Sequence, residues 1–309
     1  VFTTIAEYLS DTLVRCVTPN TNGQTGSSVV SVSLNGKDYT PEIANFKFMD
    51  YSVGNLVSVI PSFGTGGTNV MLYVSAFERF YGHASWCRFG EHDSTAATWL
   101  TETLLRCIAP PKSSSSSDNG VVDIALSFNG VDFAMINATY EYVPNAIVHS
   151  VSPARGPIVG TTVVTVFGSG FKNTSYLSCR FGNAVVRAHE YVDTTEIRCV
   201  APANYEGDVV VDVTNNNADY TSSGVTYTYQ EEAQIVSLAP SSGPVNGGTT
   251  VLIRGHHLSG NDVQCRFGSI VVPAAVESDE IATCVSPVVS SSGVVHVSIS
   301  RNAADFSSQ

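Results

Sequence analysis

The sequence predicts an all-β chain of tandem two-sheet sandwiches, and three observations lead to that class. Six of the seven cysteines fall into evenly spaced pairs: Cys87 with Cys107, Cys179 with Cys199, Cys265 with Cys284. Each first cysteine opens the tetrapeptide Cys-Arg-Phe-Gly, at Cys87–Gly90, Cys179–Gly182 and Cys265–Gly268, and each second cysteine stands three residues before a proline, Pro110, Pro202 or Pro287. The apolar segments between these markers are short runs of β-branched residues, such as Thr161–Phe167 and Val209–Val213, separated by Gly, Pro, Asn and Ser clusters. That is strand chemistry, and no stretch carries a sustained, capped helical period.

The second cysteines of successive repeats, with Cys16 as the first, stand 91, 92 and 85 residues apart. A period near 90 exceeds the range of about 20–50 residues found in solenoids and suits a sandwich of about 100 residues that folds on its own. Residues 1–52 read as the second half of a repeat, because Ala6-Glu7-Tyr8 precedes Cys16 much as His189-Glu190-Tyr191 precedes Cys199. Cys16 stands three residues before Pro19, and its partner is expected upstream of residue 1, leaving it unpaired by truncation. Residues 53–144 and 145–231 read as full repeats, and 232–309 as a repeat lacking its last strand. The two end fragments both hold the second-cysteine half, so they duplicate rather than complement each other. The chain therefore reads as a section of a longer one.

Each repeat begins with a Pro-x-x-Gly marker, at Pro61–Gly64, Pro153–Gly156 and Pro240–Gly243. A glycine-rich turn follows, Gly64-Thr65-Gly66-Gly67, with counterparts at Gly156–Thr161 and Gly243–Thr249. The turn looks like a phosphate cradle, but no helix follows it and no lysine is near. Its recurrence marks a structural turn in which glycine supplies backbone conformations closed to other residues.

The order is Pro-x-x-Gly, a Gly-Thr pair, an apolar strand, Gly, Cys-Arg-Phe-Gly, Cys-x-x-Pro, a valine-rich strand and a closing aromatic strand. The closing strands are Tyr140-Glu141-Tyr142 and Tyr227-Thr228-Tyr229. This order resembles the IPT/TIG family of immunoglobulin-like modules over essentially the whole chain. The resemblance implies immunoglobulin-like sandwiches, three near-complete and one partial. The first full repeat departs from the pattern at Val74, where the others have Gly168 and Gly255, and carries extra residues before Cys87.

The cysteines admit three readings: metal ligands, buried free thiols and disulfides. Zinc sites come as Cys-x-x-Cys pairs or with closely spaced histidines, and neither occurs. Buried free thiols give no reason to recur twice per repeat in register. Intra-repeat disulfides fit best, Cys87–Cys107, Cys179–Cys199 and Cys265–Cys284, each constraining the unfolded chain by roughly 3 kcal/mol. They point to an oxidising, extracellular or cell-surface compartment reached by the secretory pathway. The sequons Asn137-Ala138-Thr139 and Asn173-Thr174-Ser175 add expected N-linked glycans at Asn137 and Asn173. A serine tract, Ser113–Ser117, reads as a loop and possible O-glycan acceptor.

A net charge of −12, with only 15 Lys and Arg, argues against nucleic acid and anionic membranes as partners, although some intracellular members of the family adjoin DNA-binding domains. No run of about 18 apolar residues is present for direct membrane insertion. Motifs for hydrolases, metalloproteases, phosphate loops and EF-hands are missing, so no catalytic residue and no cofactor is expected. His256-His257 and the group His83, Glu91, His92 and Asp93 are weak metal candidates. Asn215, Asn216, Asn217 and Asp219 could bind calcium weakly, but turn chemistry is the better reading.

One segment, Phe77–Trp86, holds the insertion and several aromatics, and Trp86 stands where the sister repeats have Ser178 and Gln264. Phe80, Tyr81 and Trp86 are the candidate contact loop, for another copy, another extracellular protein or a glycan, with inward packing as the alternative. Short linkers, Val143-Pro144-Asn145 and Gln230-Glu231-Glu232, limit bending. At roughly 30–40 Å per repeat, three repeats make a stiff rod of about 100 Å. The expected function is non-enzymatic: a structural or adhesive extracellular glycoprotein, as stalk, appendage or filament. The alternatives are the ectodomain stalk of a plexin-like receptor and accessory modules of a carbohydrate-active enzyme.

Overall fold

The computed structural model describes residues 2–22, 24–41, 44–49, 55–75, 80, 82–91, 94–112 and 120–307. All regular structure among them is β, apart from short turns. Contacts divide the chain into two compact units. One comprises Val1–Val59, Met71–Cys107 and Asp123–Ala138; the other comprises Ile60–Val70, Ile108–Val122 and Thr139–Gln309.

In the second unit, residues 145–231 form the expected two-sheet sandwich. One sheet runs in the order Ile147–Ser152, Val163–Ser169, Glu196–Val200, Glu190–Tyr191. The other runs Arg155–Pro157, Thr226–Gln230, Gly207–Thr214, Ser178–Phe181, Ala184–Arg187. The chain switches sheets at Pro153, and Arg155–Pro157 then pairs in parallel with the closing strand, Gly156 opposite Tyr229. Period-two alternation places Val164, Val166, Ile197, Val211, Val213, Tyr227 and Tyr229 in one wholly buried core. Cys179 lies in one sheet and Cys199 in the other, so their disulfide crosses the core.

Residues 232–307 repeat this plan without counterparts of Arg155–Pro157 and the closing strand among the described residues, and their two sheets are joined. The long strand Ile270–Ser278 pairs by its first half with Gln264–Phe267 and by its second half with Ile281–Val285. The sheet is therefore continuous, from Gln234–Ala239 at one edge to Val297–Ser300 at the other. Gly168 and Gly255 occur where a strand passes close by. A Cβ on Gly168 would strike the Ile147 carbonyl and Phe171, and one on Gly255 the Gln234 carbonyl.

In the first unit, Ala6–Ser10 pairs with Leu13–Cys16 and Gly26–Val30 with Ala44–Phe48. Ser85–Phe89 pairs with Thr95–Thr101 on one side and with Ile124–Ser127 on the other. Phe80 is wholly buried and stacks on Phe128, centroids 4.2 Å apart at 8°. This corrects its assignment to a contact loop. A flat ring among Phe128 and its neighbours gains more by leaving water than by lying at the surface. Tyr81, His92, Asp93 and Ser113–Ser117 lie outside the described residues.

Candidate functional site

The turn beginning at Asn216 is built by its own side chains. Asn216 Oδ1 accepts hydrogen bonds from the amides of Ala218 (3.0 Å) and Asp219 (2.8 Å), and Asn216 Nδ2 donates to Asp219 Oδ2 (2.9 Å). Asn217 between them takes the left-handed conformation, φ 59°. Asparagine favours such a turn because its short amide closes a ring with the backbone two and three residues on.

The same turn recurs at Asn302–Asp305, with Ala303 at φ 60°, and again at Asn129–Asp132 and Asn35–Asp38, with Gly130 and Gly36 at positive φ. In the three repeats that contain Cys-Arg-Phe-Gly, the aromatic residue after the Asp lies beneath its arginine. Arg88 sits 4.5 Å from the Phe133 centroid, Arg180 4.2 Å from Tyr220, and Arg266 4.4 Å from Phe306. This cation–π contact is the structural role of the recurring arginine.

Two of these turns are plugged into the glycine-rich turn of the preceding repeat. Asn216 Nδ2 donates to the Phe63 carbonyl (3.0 Å), and Thr68 Oγ1 donates to Asp219 Oδ2 (2.7 Å). One period later, Asn302 Nδ2 donates to the Arg155 carbonyl (2.8 Å), and Thr162 Oγ1 donates to Asp305 Oδ2 (2.7 Å). Thr68, Thr162, Asn216 and Asn302 are all buried. Each joint therefore satisfies a buried carboxamide and a half-buried carboxylate across two repeats, and removing the threonine would take away one of the hydrogen bonds that the carboxylate accepts there.

The glycine of Pro-x-x-Gly makes the close approach possible. A Cβ on Gly64 would fall 2.5–2.6 Å from Thr68 Oγ1, Tyr140 OH and Asp219 Oδ2, and one on Gly156 would strike Thr162 and Tyr227. The tyrosines of the closing strands line the same place. Burial is the main cause that raises the Tyr140 and Tyr227 phenols above their ordinary range, with the Asp219 and Asp305 carboxylates adding to it. Burial also pushes Tyr229 up to about 12, and its hydroxyl donates to the Pro202 carbonyl (2.8 Å).

Around this shared centre the joints differ. At the first, Lys172 Nζ pairs with Glu141 Oε1 (2.9 Å) and lies 5.1 Å from the Phe63 ring centroid. At the second, Arg301 donates to the carbonyls of Ser259 (2.6 Å) and of Glu231 in the linker (2.7 Å).

Cys87–Cys107, Cys179–Cys199 and Cys265–Cys284 are joined as disulfides, and Cys16 is an exposed free thiol. Asn173 is exposed in the loop before Ser178–Phe181, and Asn137 is exposed within Ala134–Tyr142 at φ 54°. Trp86 is half-buried, opposite Ser127, with its ring against Gly130. His256 and His257 do not converge on a common point: His257 Nδ1 lies 3.7 Å from Asp279 Oδ2, and His256 stays in its strand. Asn216 and Asp219 spend their polar atoms on the joint, a role the sequence reading missed. The signal was available, since Asn-x-x-Asp followed by Tyr or Phe occurs four times in step at Asn35, Asn129, Asn216 and Asn302.

The modules are thus immunoglobulin-like sandwiches, disulfide-crossed and joined end to turn. The model of the IPT/TIG domain matches residues 146–229 and 233–309, more than half of the sequence, and the chain belongs to that family. Human fibrocystin-L is 24% identical over 277 residues, covering 85% of this chain and 6% of its own length. Mouse plexin-B2 is 31% identical over 153 residues, covering 43% of this chain and 8% of its own. Among solved structures, the plexin A4 extracellular region aligns with a TM-score of 0.43 at 18% identity, covering 81% of this chain and 23% of that one. This chain spans less than a tenth of the length of fibrocystin-L or plexin-B2.

Proposed function

We propose that this segment is a spacer stalk in the ectodomain of a cell-surface protein, holding a distal binding region away from the membrane. The observation that carries the reading is the pair of joints built from the same atoms, Thr68 with Asp219 and Thr162 with Asp305. A freely jointed linker gives no reason for a buried polar clamp to recur from one repeat to the next, whereas a spacer needs each joint held at one angle. The intra-repeat disulfides support an oxidising, extracellular setting. The relatedness to plexins and fibrocystin-L favours a receptor-type stalk over a filament subunit. Partners are other extracellular proteins or glycans. Asn173 and Asn137, both exposed, are proposed N-glycan acceptors, to be checked by intact-glycopeptide mass spectrometry on secreted protein.

Small-angle scattering tests the stalk reading. The wild-type chain should give one narrow distribution of maximum dimensions, and Asn216→Ala with Asn302→Ala should broaden it without loss of the disulfides. A wild-type distribution as broad as the variant's would remove the reading.

A further inference from the structure

The turn at Asn129–Asp132 is formed as completely as its two plugged counterparts. Asn129 Oδ1 accepts from the Val131 and Asp132 amides (3.0 and 2.9 Å), and Asn129 Nδ2 donates to Asp132 Oδ2 (2.8 Å). Phe133 lies under Arg88 as Tyr220 lies under Arg180. Burial differs: Asn129 and Asp132 are exposed, whereas Asn216 and Asn302 are buried in their joints.

We propose that the face made by Asn129, Asp132 and the neighbouring Trp86 is a docking surface for the glycine-rich turn of another IPT/TIG module. That module would present a threonine hydroxyl to Asp132 Oδ2 and a backbone carbonyl to Asn129 Nδ2. The occupant is specified by continuity with the established joints, where the same atoms in the same turn meet Thr68 and the Phe63 carbonyl, and Thr162 and the Arg155 carbonyl. Two polar contacts of this kind are too few to hold separate molecules firmly. A linker of two or three residues makes the encounter intramolecular and raises its effective concentration. Trp86 packs its ring against Gly130, where the sister repeats have the smaller or more flexible Ser178 and Gln264. This face therefore carries an indole where the two plugged repeats have Ser178 and Gln264.

The inference rests on the stalk reading and can be tested separately from it. In the full chain, a second copy of residues 145–231 is inserted between residues 52 and 53, so that the inserted Thr162 faces Asn129 and Asp132. Hydrogen–deuterium exchange at Val131 and Asp132 should slow by roughly tenfold, toward the rates at Ala218 and Asp219. Asp132→Ala, or Thr162→Val in the inserted copy alone, should abolish the slowing. If the inserted repeat does not fold, a second copy of residues 53–144 at the same place serves instead, with its Thr68 as partner. Unchanged exchange at Val131 and Asp132 beside a folded insert, or slowing that survives both variants, would overturn the proposal. Exchange at residues 302–306 after Thr162→Val in the original repeat reports on the stalk reading by itself. If that segment does not respond, the joints are not clamps and both readings fail. If it responds while Val131 and Asp132 do not, only the docking surface fails.

Discussion

The two joints of the second unit share a centre and differ at the border, and the difference separates what holds a joint from what trims it. In both, a buried Asn and a partly buried Asp meet a Thr hydroxyl and a carbonyl at 2.7–3.0 Å. At the border, one joint has an exposed Lys172–Glu141 ion pair and the other has Arg301 reaching the linker carbonyl of Glu231. Buried polar groups lose heavily when left unpaired, whereas exposed pairs gain little. The centre is therefore expected to carry the energy, and the border is free to vary.

The most severe way to break a joint is to fill the space its glycine leaves. Gly156→Ala drives a methyl into Thr162 and Tyr227, and about 3 kcal/mol of destabilisation is expected from the overpacking. Gly243→Ala meets only Thr249, which is half-exposed, so it should cost less. Denaturant melts of the two variants check the order, and equal losses would mean that the glycine serves the backbone turn and not the joint.

Next is the clamp itself. A double-mutant cycle on Thr162→Val and Asp305→Ala should give a coupling of about 1.5–2 kcal/mol, the lower part of the range for a hydrogen bond to a charged group. The cycle on Thr68→Val and Asp219→Ala should agree with it within about 0.5 kcal/mol, because the partners and distances match. Coupling near zero at one joint would show that the recurrence is geometric without being energetic.

Alkaline pH offers a gentler test. The Tyr229 phenol binds its proton more tightly when folded, with its pKa raised from about 10 to about 12. Its contribution is fully present below pH 10 and is lost as the pH rises toward 12. Tyr140 and Tyr227 shift in the same direction. The melting temperature should fall between about pH 10 and pH 12, and Tyr229→Phe should flatten that fall while lowering the value at pH 7 by loss of the bond to the Pro202 carbonyl. An equal fall in the variant would assign the alkaline sensitivity elsewhere.

The smallest effect belongs to the border. Lys172→Ala should cost less than about 1 kcal/mol, and 0.5 M salt should reduce that cost further, because both partners are well exposed. A larger, salt-insensitive loss would mean that packing over Phe63 outweighs the charge pair.

Features that depend on residues close in sequence were legible without coordinates. The period, the strand alternation and the cysteine spacing of 19 or 20 residues come from one repeat plan written several times. The Asn-x-x-Asp turn is equally local, since its bonds span two and three residues, and turn chemistry was legible at Asn215–Asp219 while its contact with another repeat was not. Phe80 was misplaced for a different reason. An aromatic in an irregular insertion has no periodicity to tell inside from outside, and only the arrival of Phe128 settles it.

The sequence by itself determined that each repeat is a disulfide-crossed sandwich with a glycine turn after Pro-x-x-Gly and an Asn-Asp turn before its last strand. Only the tertiary structure decided that these two turns meet. Thr68 and Asp219 are 151 residues apart, and Thr162 and Asp305 are 143 apart. No local propensity couples such distant residues. Their contact arises because the fold brings the glycine turn of one repeat to the Asn-Asp turn of the next, where the half-buried carboxylate accepts from the threonine hydroxyl.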